Sequence, residues 1–461
     1  MSLTYCPECL RKQQRISDLE EENRCLKARL KYQERTASEG PFGSSTPSSQ
    51  VPIKSSALPE RQARRGGARP GHAGHGRRRI AAPEADRVVE TPPPTRCPKC
   101  GGTLTAKGVR ERTVLDCRPI RVERIVYRLP RCRCRRCGAS VETAAPGVLP
   151  KSVYGNGLLA HVAVQHYLYG ATLGQLEKQT GIGYGSLVDA LHQLARRLKD
   201  VPERLLKEYR QAPVKHADET GWRNDGGNGY AWIFCTPHLS VFRFRHSRAA
   251  RVAREALGKK RLAGVLVVDR YAGYNKAPCR IQYCYAHLLR DVQDLEKEFP
   301  DQPEVAAFVK TLAPLLAAAM GLRGQGLSRR AFRRQAAALK RRIVAAVNRS
   351  ARHPAVQQMQ DLFRQKADRM YHWARDPTIP AENNLAEREL RPLVVARKVS
   401  FGSQSDRGAA TRETLMTVLH TLRKRAPDPA TAFKATLDQL AQDPDADPFL
   451  LLLPKTRPKR T

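Results

Sequence analysis

The 461-residue sequence predicts a multidomain α+β protein. It should comprise an N-terminal coiled coil, a zinc ribbon, a helical region, and an α/β core interrupted by a helical insertion. Three observations predict this. The chain exceeds one ordinary hydrophobic core, so about two to four domains are expected. Its hydrophobic period changes from heptad spacing near the N-terminus to strand-like runs after Ala212, and back to helical spacing from residue 291. Two Cys-x-x-Cys pairs fall within the single block 95–150.

Residues 1–36 contain "CPEC" and then "RKQQRISDLEEENRCLKARLKYQER". Ile16, Leu19, Asn23, Leu26 and Leu30 alternate in steps of three and four and form an a/d seam. An Asn at an a position favours a parallel dimer in fixed register, although about three heptads are marginal alone. The other reading is an amphipathic helix packed on its own domain. Residues 37–94 are rich in Ser, Pro, Gly and Arg, and "RQARRGGARPGHAGHGRRR" at 61–79 has almost no apolar side chains. Such a segment cannot offset its ordering entropy and reads as a disordered basic linker. It is either an arm that follows phosphates or a solvated spacer.

Block 95–150 pairs Cys97 and Cys100 of "CPKC" with Cys134 and Cys137 of "CRRC". Two such knuckles suit one tetrahedral Zn²⁺, which would supply folding free energy to a small module. The stretch between them, 109–132, reads as a strand hairpin. Cys132 is an alternative to Cys134, and Cys117 reads as a core thiol. Cys6 and Cys9 either pool with a second chain into a shared four-thiolate site or stay reduced on a frayed end.

Residues 151–210 read as helical, with "TGIG" separating two amphipathic stretches. This is a helix-turn-helix or an ordinary helical hairpin. From 211 to 290, "PVKHADET", "GYAWIFCTP", "LSVFRFRHS", "GVLVVDRY" and "RIQY" read as strands, with "RAARVAREAL" a helix before the fourth. Residues 291–377 form the basic helical insertion, 378–410 a further helical part of the core, and 411–461 a helical end with the tail "KTRPKRT".

Lys and Arg number 82 against 44 for Asp and Glu, a formal net charge of +38. A balance this basic favours nucleic acid, through counterion release, over a merely solubilising surface or a ribosome-like role. No apolar run reaches the ~20 residues of a membrane span, and "MSLTYCPECLRKQQR" lacks a signal-peptide core. A cytoplasmic, nucleoid-associated protein without disulfides is expected, so the 12 cysteines need another role.

Asp218 ends "VKHAD" and Asp269 ends the apolar strand "GVLVVD". Strand-end aspartates often cap turns. Two at matching strand ends can instead share divalent cations, for which hard oxygen donors suit Mg²⁺ or Mn²⁺. Such a site needs a third carboxylate, and "AENNLAERELR" at 381–391 offers one. On a helix, Glu389 points about 200° away from Glu387. Glu387 is therefore the preferred ligand, with Arg388 and Arg391 beside it for phosphates, and Glu382 is the fallback. Arg397 and Lys398 either contact DNA or form a solvated basic face. His287 orients a phosphate or a metal-bound carboxylate, or is structural. Trp222 and Trp232 read as packing residues.

These segments, in this order, resemble the transposases of the insertion-sequence-66 family of bacterial mobile elements. The resemblance runs almost end to end. It rests on the zipper-like N-terminus, "RPGHAGHGRRR", "CPKCGG…CRRC", "HADETGW", "GYAWIF", "VVDRYAGYN", "CYAHLLRD" and "NNLAERELRPLVVARKVSFGS". It implies an RNase H-like catalytic core whose triad is Asp218, Asp269 and Glu387, holding two Mg²⁺ (or Mn²⁺) ions. It implies cleavage at inverted-repeat ends and joining of 3′-hydroxyls to target DNA. Implied partners are element ends, target DNA and at least a second copy of the chain, with accessory proteins of the same element left open. Two departures stand out: Glu382 replaces the Asp more usual before the paired asparagines, and "LRKRAPDPATAF" lacks the usual Gly. The rival readings are a regulatory DNA-binding protein without chemistry and an RNase H-like nuclease without strand transfer.

Overall fold

The computed structural model describes residues 144–454 continuously, 122–142 apart from 134, 138 and 139, and scattered positions before these. Leu26, Leu30, Cys6, Cys9, Cys97, Cys117, Cys134, most of the 37–94 linker and the tail 455–461 lie outside the described residues. Ile16, Leu19 and Asn23 are helical and exposed.

Two short strands, β1 (Arg131–Arg133) and β2 (Ser140–Glu142), pair antiparallel and bracket the turn that carries Cys137. Residues 122–130, expected as strand, contain no helix or strand. Cys100, Cys132 and Cys137 are exposed.

Four helices precede the main sheet: α1 (Asn156–Tyr167), α2 (Leu173–Thr180), α3 (Tyr184–Arg197) and α4 (Val201–Gln211). Thr172 and Gln175 form a reciprocal capping box that starts α2, and Gly181 ends it at φ 70°, a conformation that favours glycine. The turn into α3 is the one anticipated from "TGIG". Leu187, Leu191 and Leu194 bury one stripe of α3.

The main sheet has five strands in the order β5-β4-β3-β6-β7. β3 (Val214–Gly221), β4 (Tyr230–Thr236) and β5 (Leu239–Arg245) are antiparallel, whereas β6 (Val265–Val268) and β7 (Arg280–Tyr283) run parallel to β3. Helix α5 (Ala250–Leu257) makes the crossover from β5 to β6. Gly264 lets β6 begin against β3: its φ is 82°, and a Cβ there would lie 2.1 Å from the Pro213 carbonyl oxygen. The five expected strands and the crossover helix all form.

After β7 come α6 (Tyr285–Glu298), α7 (Pro303–Gly321), α8 (Arg329–Val347), α9 (Pro354–Gln365) and α10 (His372–Arg375). Then follow α11 (Asn384–Ser400), α12 (Asp406–Arg425), α13 (Pro429–Gln442) and α14 (Pro448–Leu452). By length and composition the stretch Pro303–Gln325 could cross a membrane, a longer apolar run than the sequence reading recognised. Val305, Phe308, Leu312, Leu315 and Leu316 are buried inside the protein.

Helix α12 covers the edge strand β5. The backbone N–H groups of Phe244, Phe242 and Ser240 donate to Glu413, Thr417 and Thr421 at 3.0, 3.0 and 3.1 Å. Four helical residues rise about 6 Å, close to two strand residues, so every helical turn meets one outward N–H. The edge is thereby closed against further strand pairing. The core is continuous from Leu149 to Leu453, so the helices on either side of the sheet in sequence share it.

Candidate active site

β3 and β6 pair with His216 opposite Val267. Two residues further, the same register sets Asp218 level with Asp269 on strands about 4.8 Å apart. The period-2 alternation keeps both on the face of His216 and Val267. The Tyr271 N–H donates to Asp269 Oδ1 at 2.9 Å and fixes that carboxylate where the strand ends.

Glu387 arrives on α11, whose first turn is bolted to β3. Asn383, fully buried at the helix N-cap, donates through Nδ2 to the Ala217 carbonyl at 2.9 Å. Its Oδ1 meets His216 Nδ1 at 2.9 Å, and its backbone N–H donates to Cys284 Sγ at 3.1 Å. The Tyr285 N–H donates to the Ala381 carbonyl at 2.7 Å, which ties the start of α6 to the same segment. At the other end of α11, Arg397 Nη1 donates to Thr220 Oγ1 at 3.2 Å and the Gly221 carbonyl at 2.7 Å. Arg397, read as a DNA contact, is thus engaged as a strut, whereas Arg388, Arg391 and Lys398 are exposed.

Burial and neighbouring charge act on each of these carboxyls. Burial pushes the Asp218 carboxyl well above its ordinary range, and the charges of Glu219, Asp269 and Glu387 push it the same way. Burial raises Asp269, opposed by the Tyr271 N–H and by Arg248 and Arg270. Burial also raises Glu387, opposed by Arg290 and Arg391 and reinforced by Asp269. Glu382 is half-buried and raised by burial, with Arg323 and Arg388 acting against it. Glu389 points to the opposite side of α11, as the helical rotation predicts. It accepts from Ser240 at 2.7 Å and lies 3.4 Å from Lys424, in a purely structural cluster.

Sequence reasoning missed a carboxylate next to the first aspartate. Glu219 accepts from Arg248 at 2.7 Å and Tyr274 at 2.6 Å, and burial lifts it to about 7. The Arg248 guanidinium lies 3.9 Å from the centre of the Tyr271 ring, so this network joins β3 to the turn carrying Asp269. Only its place inside "HADETGW" signalled it. Cys284 stood in the quoted segment "CYAHLLRD" but was given no role. His287 Nδ1 and Glu387 Oε1 are 3.8 Å apart, and both are buried without a hydrogen-bond partner among the described residues. Burial and the nearby Arg290 and Arg270 hold His287 neutral, lowered to about 4. Trp222 and Trp232 are buried packing residues.

Carboxyls that burial raises, with like charge pushing Asp218 and Glu387 the same way and one Glu387 oxygen unpartnered, fit a divalent cation better than a solvated turn. It also makes the metal-free fold pH-sensitive. Carboxyls raised in the folded chain hold protons that the unfolded chain has already lost, so their contribution falls as pH rises from about 4. Neutral buried histidines act oppositely: His166 is lowered to about 3 and His216 to about 4. Comparison with Asp218→Asn cancels the histidines. Without metal, the variant should be about 1–2 kcal/mol more stable than wild type at pH 7. The gap should close toward pH ~4. Mg²⁺ should stabilise only wild type. Thermal melts with EDTA and with Mg²⁺ measure this, and equal melts at pH 7 without metal would contradict it.

A family model described as "Transposase IS66 family" matches residues 151–411, more than half of the chain and all of the site. The chain belongs to the IS66 family of transposases. A second model, the zinc-finger binding domain of the IS66 transposase, matches residues 94–138, so the transposase carries a zinc-finger domain at the block of cysteine pairs. Two similar chains come from Sinorhizobium fredii (strain NBRC 101917 / NGR234). "Uncharacterized protein y4jD" is 26% identical over 405 residues, 78% of the transposase and 77% of the relative. "Uncharacterized protein y4qI" is 26% identical over 414 residues, 80% and 75% of the two chains.

Proposed function

We propose that this transposase cuts DNA at the inverted-repeat ends of its element and joins the freed 3′-hydroxyls to target DNA. In this reading the core is RNase H-like, and the mixed five-stranded sheet with aspartates on adjacent parallel strands supports it. Asp218, Asp269 and Glu387 would hold the catalytic metal. The single observation that carries the proposal is geometric: the β3–β6 register sets Asp218 level with Asp269, and the helix that Asn383 ties to β3 brings Glu387 from a distant part of the sequence.

The chemistry that two Mg²⁺ or Mn²⁺ ions supply at such a site is activation of the attacking hydroxyl and neutralisation of the leaving oxygen. The protein's part is positioning. The strands fix the two aspartates, Asn383 fixes the approach of Glu387, and Arg290 and Arg391 offset the charge around it. Arg388, Arg391 and Lys398 are exposed along α11 to meet phosphates. The zinc-finger domain and the helical pair α2–α3 would add contacts to element ends. The exposed seam residues Ile16 and Leu19 suit a dimer that holds two ends together.

The test incubates labelled DNA carrying the ends that flank the gene with the full-length protein and Mg²⁺. Nicked ends and joined product are expected. Specific binding without nicking would favour a regulator, and cleavage without joined product a nuclease.

A further inference from the structure

We propose that Cys284, His287 and Glu387 form a binding site for a zinc-class divalent cation, separate from the zinc-finger domain. One ligand atom from each residue lies within 4.8 Å of the other two. His287 Nδ1 and Glu387 Oε1 stand 3.8 Å apart, too far for a hydrogen bond, and both are sealed from solvent with no other partner among the described residues. Ligand atoms around a tetrahedral zinc, with bonds of about 2.0–2.3 Å, are separated by about 3.3–3.7 Å. The three groups therefore need only a slight contraction to share one ion, with the fourth position left open.

The donor types decide the class. A thiolate, an imidazole and one carboxylate form a soft-to-borderline set that favours zinc over magnesium. The architecture is prepared for it. Cys284 caps α6 and His287 follows three residues later in its first turn, so both face one side. Glu387 sits in the first turn of α11. The two helix starts are held together by the Asn383 N–H on Cys284 Sγ and the Tyr285 N–H on the Ala381 carbonyl. The Asn383 N–H is the kind of outer contact that stabilises a ligating thiolate. Binding would release the thiol proton and leave the sulfur on the metal.

Glu387 is the one residue shared with the proposed catalytic triad, so the ion would anchor that glutamate, but the site does not depend on DNA chemistry. The experiment measures zinc per chain in the purified full-length protein by mass spectrometry. It also follows the thiolate charge-transfer band after Co²⁺ replacement. Cys284→Ser and His287→Gln should each remove about one equivalent. Cys137→Ser, in the zinc-finger domain, should leave that equivalent in place, as should Asp218→Asn. Metal-free circular dichroism melts show whether each variant folds, and His287→Gln keeps the test open if Cys284→Ser does not. Folded Cys284→Ser or His287→Gln protein with wild-type zinc content overturns the site. Loss of cleavage in wild type that still holds this zinc would instead sink the catalytic reading alone.

Discussion

Asp218→Asn, Asp269→Asn and Glu387→Gln are each expected to lower Mg²⁺-dependent DNA cleavage by about 10³-fold or more, while DNA binding persists. Each change keeps the side chain's shape and removes one negative charge and one hard oxygen ligand. The charge is what the fold has gathered. Burial raises Asp218 and Glu387, and like charge adds to it, from Asp269 and Glu387 on the first and from Asp269 on the second, so removing a charge relieves a neighbour and spares the fold. Activity should therefore fall without a matching loss of stability, which distinguishes a ligand from a packing residue. In the proposed function binding would survive because exposed cationic groups elsewhere, such as Arg388 and Lys398, would carry it. Glu382→Gln is the control. It precedes the N-cap of α11, and its variant should retain cleavage. An active Glu387→Gln beside a dead Glu382→Gln would transfer the third ligand to Glu382. Single-turnover cleavage and a band-shift titration on the same DNA make both measurements.

Much of this site is legible in the sequence because its parts obey local periods. Asp218 lies within β3 rather than at its end, and Asp269 directly follows β6, yet their matching positions need only adjacent parallel strands to bring them level. The choice of Glu387 over Glu389 follows from helical rotation alone, and Glu389 turns to Ser240 and Lys424 as that rotation requires. What escaped sequence reading depends on long-range pairing. Nothing local reveals that Arg248 will cross to Glu219, or that Thr417 and Thr421 will serve an edge strand far earlier in the chain. Arg397 shows the same limit: nothing local reveals that its Nη1 will reach back to the Gly221 carbonyl. The block of cysteine pairs shows the limit of strand propensity. Residues 122–130 have the composition of a strand, yet the described pairing falls around the turn that carries Cys137.

Asn383→Ala should be the most damaging substitution outside the carboxylates. The side chain is fully buried and ties β3 to the start of α11, through the Ala217 carbonyl and His216. Truncation strands a buried carbonyl and a buried imidazole nitrogen, each costing about 1–3 kcal/mol. A total loss of about 2–4 kcal/mol follows, since the two groups share one cavity and need not add fully. The catalytic effect should exceed what partial unfolding explains. Ala217 immediately precedes Asp218, and Asn383 opens the helix carrying Glu387, so this one amide sets the gap between strand and helix. A shift of about 1 Å in that gap is enough to cost about 10²-fold. Asn383→Asp separates the two effects. It keeps an acceptor for His216 but loses the donor to Ala217, and it buries another negative charge among carboxylates already raised by crowding. It should therefore be no more stable than Asn383→Ala at pH 7, and should recover part of that deficit as pH falls and the new carboxyl protonates. Denaturant melts across pH, with cleavage measured where each variant is fully folded, provide the check. An Asn383→Ala protein with wild-type turnover would mean that the helix finds its place without this amide.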